Sequence, residues 1–351
     1  MKDFYISFLV TAFCVAVAGW WGLQTDMGLW TALWLVVVLS ILEISLSFDN
    51  AVVNAGVLKD MSAFWQKMFL TVGILIAVFG MRLVFPIVIV AVSADIGTVE
   101  TIKMALNDPS RYSSVLNSVY PVISAFGGMF LLLVFLNFMF DHEKETHWLG
   151  VLEERLTKIA KFDQISVLIA LLVVFSTRWW VPEADQFRVF VASIAGILLY
   201  LAVDAIGALF EEESTGDAAV TTVKRAGFAS FLYLEVLDAS FSFDGVIGAF
   251  AITRDVVIIM LGLAVGAMYV RSMTVYLVNR GTLSQFIYLE HGAHYAIGVL
   301  ALIMIVGTVT HVPEVITGLI GVGFIAASIF SSLRYNKSAV QSALVRSASR
   351  E

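Results

Sequence analysis

Charge is scarce in this chain. Of its 351 residues only 14% are Asp, Glu, Lys or Arg, while 60% are apolar, and the mean hydropathy is +0.91. A soluble globular chain carries about a quarter charged and about half apolar residues. The surplus must sit in lipid, which excludes an ordinary water-soluble domain. Cysteine is almost missing: Cys14 stands alone, so there is no intrachain disulfide, and its apolar helix makes it a packing residue. No basic face or nucleic-acid motif accompanies the net charge of −7, so no nucleic-acid partner is expected. No nucleophile–base constellation is present either. His142-Glu143 followed by His147 misses the zinc-protease pattern, because the second histidine comes five positions after the first rather than four. An enzyme is not expected, nor is a cofactor.

What the chain does have is long apolar runs. A spanning helix needs about 20 mostly apolar residues, and ten candidates meet this: 5–22, 29–58, 64–94, 115–140, 164–180, 187–210, 226–253, 255–279, 286–309 and 312–334. Several are long enough to need tilts or breaks, for which Gly73, Gly80, Pro86, Gly262 and Gly266 offer places. The fold expected is all-α, a polytopic membrane protein of about ten helices. Lys2 and the run after it mimic a signal peptide, but Asp3 spoils the charged region, and the run reads as a retained first helix. Segment 97–111 is too polar to span. Residues 141–163 form a charged loop, and 335–351 a basic, Ser-rich tail expected to be disordered. With the N-terminus inside, the outside loops hold only Lys103, Arg111, Arg178, Arg188 and Arg254. Of the 21 Lys and Arg in all, most of the others fall inside. That bias puts both termini in the cytoplasm of a multi-pass plasma (inner) membrane protein.

A repeat organises these spans. Ser47-Phe48-Asp49-Asn50 recurs as Ser242-Phe243-Asp244-Gly245, and the same offset pairs Glu43 with Asp238, Ser45 with Ser240 and Asp60 with Asp255. With a slightly shorter connection, Gly73 and Arg82 recur as Gly262 and Arg271. Each half thus has an acidic helix followed by one with an intramembrane arginine. Five spans separate the copies, an odd number, so the second copy is inverted in the membrane. The repeats occupy 1–180, including the loop 141–163, and 181–334.

A charged side chain at mid-bilayer costs about 2.5–3.5 kcal/mol on insertion scales, so the four acids and two arginines must face one another, water or an ion. Two arginines cannot neutralise four acids. Hard divalent cations take carboxylate, carbonyl, hydroxyl and amide oxygens, which the motif supplies in Glu43, Asp49, Asp238 and Asp244, with Ser45, Ser47, Asn50, Asn54, Ser240 and Ser242 beside them. Glu43 and Asp49 lie about 120° apart on a regular helix. A break near Ser47 to Asn50 would let both face one ion. One site or two remain open. Arg82 and Arg271 are candidate ion-pair or gating residues, and Glu235, one turn before Asp238, joins them. Asp204 reads as a relay carboxylate or a helix-end group. Glu290, His291 and His294 read as an interfacial cap or a proton site, and Asn137 as an interhelical bond.

The stretches Glu43-Ile-Ser-Leu-Ser-Phe-Asp-Asn50 and Asp238-Ala-Ser-Phe-Ser-Phe-Asp-Gly245, with Arg82 and Arg271, resemble the TerC family of integral membrane proteins, named for tellurium resistance. The resemblance covers about residues 29 to 330. It has Asp238 where close relatives would carry Glu, and its Glu290-His291-Gly-Ala-His294 helix looks typical of a less characterised branch. It implies metal-ion handling, with manganese export foremost and calcium transport as the alternative. The expected function is therefore a secondary transporter exporting a hard divalent cation, Mn²⁺ first and Ca²⁺ second, through carboxylates between inverted repeats. A tellurite pump fits poorly, because acids outnumber arginines. The alternative is a metal-stress sensor or scaffold that recruits cytoplasmic proteins through the loop 141–163 or the tail. The expected partners are metal ions and the lipid bilayer, with a homo-oligomer left open.

Overall fold

A computed structural model of the protein describes residues 4–348, apart from 74, 94, 142–143, 145, 160–163, 212–218 and 311. Regular structure among the described residues is entirely helical. The first half runs through α1 (Tyr5–Gln24), α2 (Leu29–Leu46), α3 (Phe48–Leu58) and α4 (Ala63–Met68). Two π-helical stretches, Phe69–Gly73 and Ile76–Val84, lead into α5 (Phe85–Ser93). Then follow α6 (Thr98–Asn107), α7 (Pro109–Phe140), α8 (Val151–Ile159) and α9 (Ile165–Ser176). The second half holds α10 (Glu183–Glu211), α11 (Ala219–Ile252), α12 (Val256–Asn279), α13 (Thr282–Gln285), α14 (Leu289–Gly307) and α15 (Glu314–Ala348).

Eight of the helical segments described are long and apolar enough to cross a membrane, and the architecture is that of a polytopic membrane protein. In hydrocarbon every backbone amide must be paired within its own segment, which is why uninterrupted apolar sequence becomes helix. The outer surface is apolar for the same reason: Phe13, Trp30, Phe187 and Leu319 are all at least two-thirds exposed, as lipid contact requires. Two of the ten expected spans fall outside the eight. The 164–180 run gives only the short α9 and a 3₁₀ turn. The 226–253 run lies within α11, whose acids make it a poor match to lipid.

The helix α7 is the hub. Phe130, Leu131 and Leu133 are fully buried on it, and α10 and α14 pack along its length. Small residues permit the close approach: a Cβ on Gly196 of α10 would fall 2.3 Å from the Phe126 carbonyl of α7. Without a hydrophobic drive between helices in lipid, such close backbone contact is a main source of packing energy.

Three features refine or correct the sequence expectation. The 29–58 run is two helices, broken at Ser47 (φ −109°, ψ 16°). The loop 141–163 contains α8, and part of it is packed against α14. The C-terminal segment expected to be disordered instead continues α15 to Ala348, since Ala339, Val340, Ala343 and Leu344 extend its helical pattern without a breaker.

The α14–α15 seam gives a prediction. A Cβ on Gly292 would sit 2.6 Å from the Ser328 Cβ and 2.9 Å from the Phe324 carbonyl. Gly292→Val should therefore destabilise the protein by roughly 1–3 kcal/mol, the usual cost of overpacking. Thermal unfolding in detergent checks this, and an unchanged midpoint would mean that the seam is looser than described.

Candidate functional site

The acidic helices and the arginine helices meet at the centre of the protein. Glu43, 1% exposed, lies in the last turn of α2, just before the break at Ser47. Arg82, on the second π-helical stretch, donates to Glu43 Oε1 and to the Ala77 carbonyl. The Ser47 hydroxyl donates to the same carboxylate oxygen at 3.2 Å. Two glycines make the space: a Cβ on Gly266 would come within 2.4 Å of the Glu43 Cβ, and one on Gly245 within 2.8 Å of Oε2.

The second cluster lies between α11 and α12. Arg271 donates to Asp238 Oδ2 at 2.7 Å and to Glu235 Oε1 at 3.3 Å. Its other terminal nitrogen bonds the Phe69 carbonyl at 2.8 Å, and its guanidinium lies 3.9 Å above the Phe69 ring. Asp238 Oδ1 accepts from Asn50 at 2.9 Å and from Asn54 at 2.8 Å, so α3 reaches across to α11. Gly73 is required here, because a Cβ would lie 2.3 Å from Glu235 Oε1.

These contacts are reciprocal in the numbering of the repeat. Glu43 lies against Gly245, and its counterpart Asp238 bonds to Asn50, the counterpart of Gly245. The Ser40 hydroxyl donates to the Gly262 carbonyl at 3.0 Å, and Glu235, in the position equivalent to Ser40, lies against Gly73, the equivalent of Gly262. Contacts of the form i-to-j and j-to-i are what a two-fold relation produces.

Between the clusters is a small cavity of ≈ 10 Å³ whose lining includes Ser47, Asn50, Asn54, Arg82, Asp238 and Ser242. Its wall is short of partners. Asn50 Oδ1, Asn54 Oδ1 and Ser242 Oγ are buried without a hydrogen bond, as are the Nε atoms of both arginines. Buried polar atoms in folded proteins are nearly always paired, so three orphaned oxygens at one cavity call for a cation or ordered water.

Not all the expected ligands converge. Ser45 donates to the Ile41 carbonyl at 2.7 Å, and Ser240 to the Val236 carbonyl at 3.0 Å. Asp49 accepts from the Asn50 amide at 3.0 Å, and its Oδ2 faces Gly321 of α15, away from Glu43. The break at Ser47 exists, but it leaves Glu43 and Asp49 aimed at different neighbours. The side chain of Asp244 lies outside the described residues. No group of three Asp, Glu, His or Cys able to hold a metal is found among the described residues, so amide and hydroxyl oxygens would have to complete any cation shell.

Residues 48–339, which include Asp49, Arg82, Asp238 and Arg271, match the family described as protein of unknown function DUF475. The chain belongs to the DUF475 family. No curated protein and no solved structure matches it.

Elsewhere in this DUF475 chain, the remaining candidates find ordinary partners. Asn137 bonds the Tyr200 hydroxyl at 2.6 Å across α7 and α10. His294 stacks on Phe138 at 3.8 Å, Glu290 lies 4.0 Å from Lys59, and Asp204 is exposed on α10. A further buried carboxylate was hidden from sequence reasoning. Glu153 of α8 is 0% exposed. It accepts from the Tyr295 hydroxyl of α14 and from the Leu149 amide at 2.9 Å, and lies 3.1 Å from the Lys144 ammonium. His147 and His291 stand 3.7 and 3.5 Å from it. Burial alone would push this carboxyl up, but the Tyr295 and Leu149 bonds and Lys144 outweigh it and hold the group below its ordinary value.

Two predictions follow from these ion pairs. Arg82→Met leaves the Glu43 carboxylate buried and unpaired, at a cost of roughly 3–5 kcal/mol. The double substitution Glu43→Gln, Arg82→Met should recover most of that loss in a denaturation experiment, and additive losses would show the pair is uncoupled. For Glu153, a lowered folded-state pKa means stability that is present above the unfolded carboxylate value near 4.5 and lost as pH falls through the folded value. Protection factors of the amides in residues 146–156, which take out the intrinsic slowing of exchange in acid, should therefore fall on acidification below that value, and those of Glu153→Gln should be low at both pH 7 and acid pH. Wild-type protection factors that ignore pH would refute this anchoring role.

Proposed function

We propose that this protein is a secondary transporter that moves a hard divalent cation, Mn²⁺ foremost and Ca²⁺ as the alternative, out of the cytoplasm. The observation that carries the reading is the cavity between two acid–arginine clusters, with three buried oxygens lacking partners. Amide, hydroxyl and carboxylate oxygens are the donor set that hard divalent cations select. Asp238, Asn50, Asn54, Ser47 and Ser242 would ligate the ion, with Glu43 beside them. Asp49 and Asp244 would serve as approach residues from the two membrane faces.

The arginines have a role in the same scheme. With the site empty, Arg82 and Arg271 hold the carboxylates that the cation would otherwise neutralise, which limits leakage. Binding of a divalent ion would displace at least one guanidinium; once the ion is released outside, the vacated carboxylates would take up protons, whose passage to the cytoplasm would drive export. The reciprocal contacts between the repeat's two copies support an inverted-topology duplication, in which substrate sites lie near the midplane at the repeat interface. On this reading α9 and α11 also cross, giving ten spans with both termini cytoplasmic. The likeness of the paired acidic stretches to the TerC family supports metal export and the plasma membrane as its location. The anchoring of α8 to α14 through Glu153 and Tyr295 counts against a free recruiting loop, and so against the scaffold reading.

The test is Mn²⁺ flux into proteoliposomes under a proton gradient, with Ca²⁺ and Mg²⁺ as competitors. Asp238→Asn and Glu43→Gln should each lower flux by about tenfold or more, the factor that ~1.4 kcal/mol of lost binding produces. Asp204→Asn, on an exposed position, should keep wild-type flux. Wild-type flux in both site variants would refute the ligand assignment, and no flux under any ion gradient would refute transport.

A further inference from the structure

The two acid–arginine clusters differ in where their arginine can go. Arg82 forms one ion pair among the described residues, with Glu43. The repeat places Ser40 where the other cluster has Glu235, and the Ser40 hydroxyl is taken up by the Val36 and Gly262 carbonyls. Arg271 instead has two acids within reach of one nitrogen, Nη2: Asp238 Oδ2 at 2.7 Å and Glu235 Oε1 at 3.3 Å. Its Nη1 is anchored separately, on the Phe69 carbonyl at 2.8 Å.

Glu235 is surplus to the pairing of Arg271, which Asp238 already provides. It is also absent from the lining of the small cavity, so it is not placed to ligate an ion there. What marks it is a pair of unused atoms: Glu235 Oε2 and Arg271 Nε are both buried without a hydrogen bond. Arginine and carboxylate pair most strongly through two parallel bonds. A tilt of the guanidinium about its Nη1 anchor, setting Nε and Nη2 against Oε2 and Oε1, would give both orphaned atoms a partner. The same tilt would free Asp238 Oδ2 for an ion in the cavity, where Asn50 Oδ1, Asn54 Oδ1 and Ser242 Oγ also lack partners.

We infer that Arg271 passes from Asp238 to Glu235 when a cation enters, an inference that rests on the divalent-cation site proposed above. Glu235 is then a positioning residue, which sets the affinity of the site without touching the ion. A buried guanidinium stripped of its carboxylate is strongly destabilising, so an ion can take Asp238 from Arg271 only where a second acid stands ready. Arg82 has no such second acid. Its pair with Glu43 stays closed while Arg271 moves, which makes the second repeat the side that opens.

Titration of the full chain with Mn²⁺ in lipid nanodiscs, followed by electron paramagnetic resonance, tests this. Glu235→Gln should weaken Mn²⁺ binding about tenfold although every residue lining the cavity is intact. Loss of a nearby negative charge would weaken binding too, so Glu235→Asp is the second arm. It keeps the charge but withdraws the carboxylate from the fork, and should weaken binding to a similar degree. Infrared difference spectra between Mn²⁺-loaded and metal-free protein give a readout that a merely structural role would not move. They should contain a carboxylate band that Glu235→Asp shifts. Wild-type affinity in Glu235→Gln, wild-type affinity in Glu235→Asp, or a difference spectrum that Glu235→Asp leaves unchanged would each overturn the handover and leave the cation site standing. Wild-type protein that binds no Mn²⁺ would refute the cation site and the handover with it.

Discussion

The structure depends on the cost of holding carboxylates inside a membrane. Glu43, Asp49, Glu235 and Asp238 are all nine-tenths or more buried, and each acid left facing lipid would cost a few kcal/mol. Two arginines, drawn from the helices that follow the acidic ones, hold three of these four groups. Around them the packing is arranged to let the charges meet. Gly73, Gly245 and Gly266 stand where any Cβ would strike a carboxylate or its stem, and Phe69 covers the Arg271 guanidinium. The apolar helices outside this centre, with Trp30 and Phe187 turned to lipid, form the shell that keeps it dry.

The two acidic stretches differ in structure and in residues. The first repeat is broken at Ser47, whereas α11 runs without interruption through Ser242 to Gly245. The first has Ser40 where the second has Glu235, and Asn50 where the second has Gly245. The result is lopsided. Both Asn50 and Asn54 serve Asp238, while Glu43 has its arginine, one serine and a glycine cradle. A discontinuous helix thus stands opposite a continuous one at the site.

The fold class was legible because hydropathy alone forces helices in lipid, and the acid–arginine centre was legible because charge is rare enough here for each instance to stand out. A break near Ser47 was legible only as the condition for Glu43 and Asp49 to face one ion; the break is there, but the two carboxylates do not converge. The direction of each side chain did not follow. Ser45 and Ser240 lie in the motif but donate to carbonyls on their own helices, a choice that periodicity cannot reveal. Asp49 lies against Gly321 of α15, a direction that periodicity did not reveal either. Glu153 was invisible because a charged stretch between spans reads as solvated. Its burial arises from a tertiary contact with Tyr295, far along the chain.

The central claim is that the cavity between the two acid–arginine clusters takes a hard divalent cation. The most direct measurement is electron paramagnetic resonance titration of Mn²⁺ against the purified protein in lipid nanodiscs, where bound Mn²⁺ loses the signal of the free ion. The account predicts saturable loss of the free signal that Ca²⁺ reverses and that Asp238→Asn abolishes. An undiminished Mn²⁺ signal, or binding that survives Asp238→Asn unchanged, would contradict it and leave the buried acids as architecture alone.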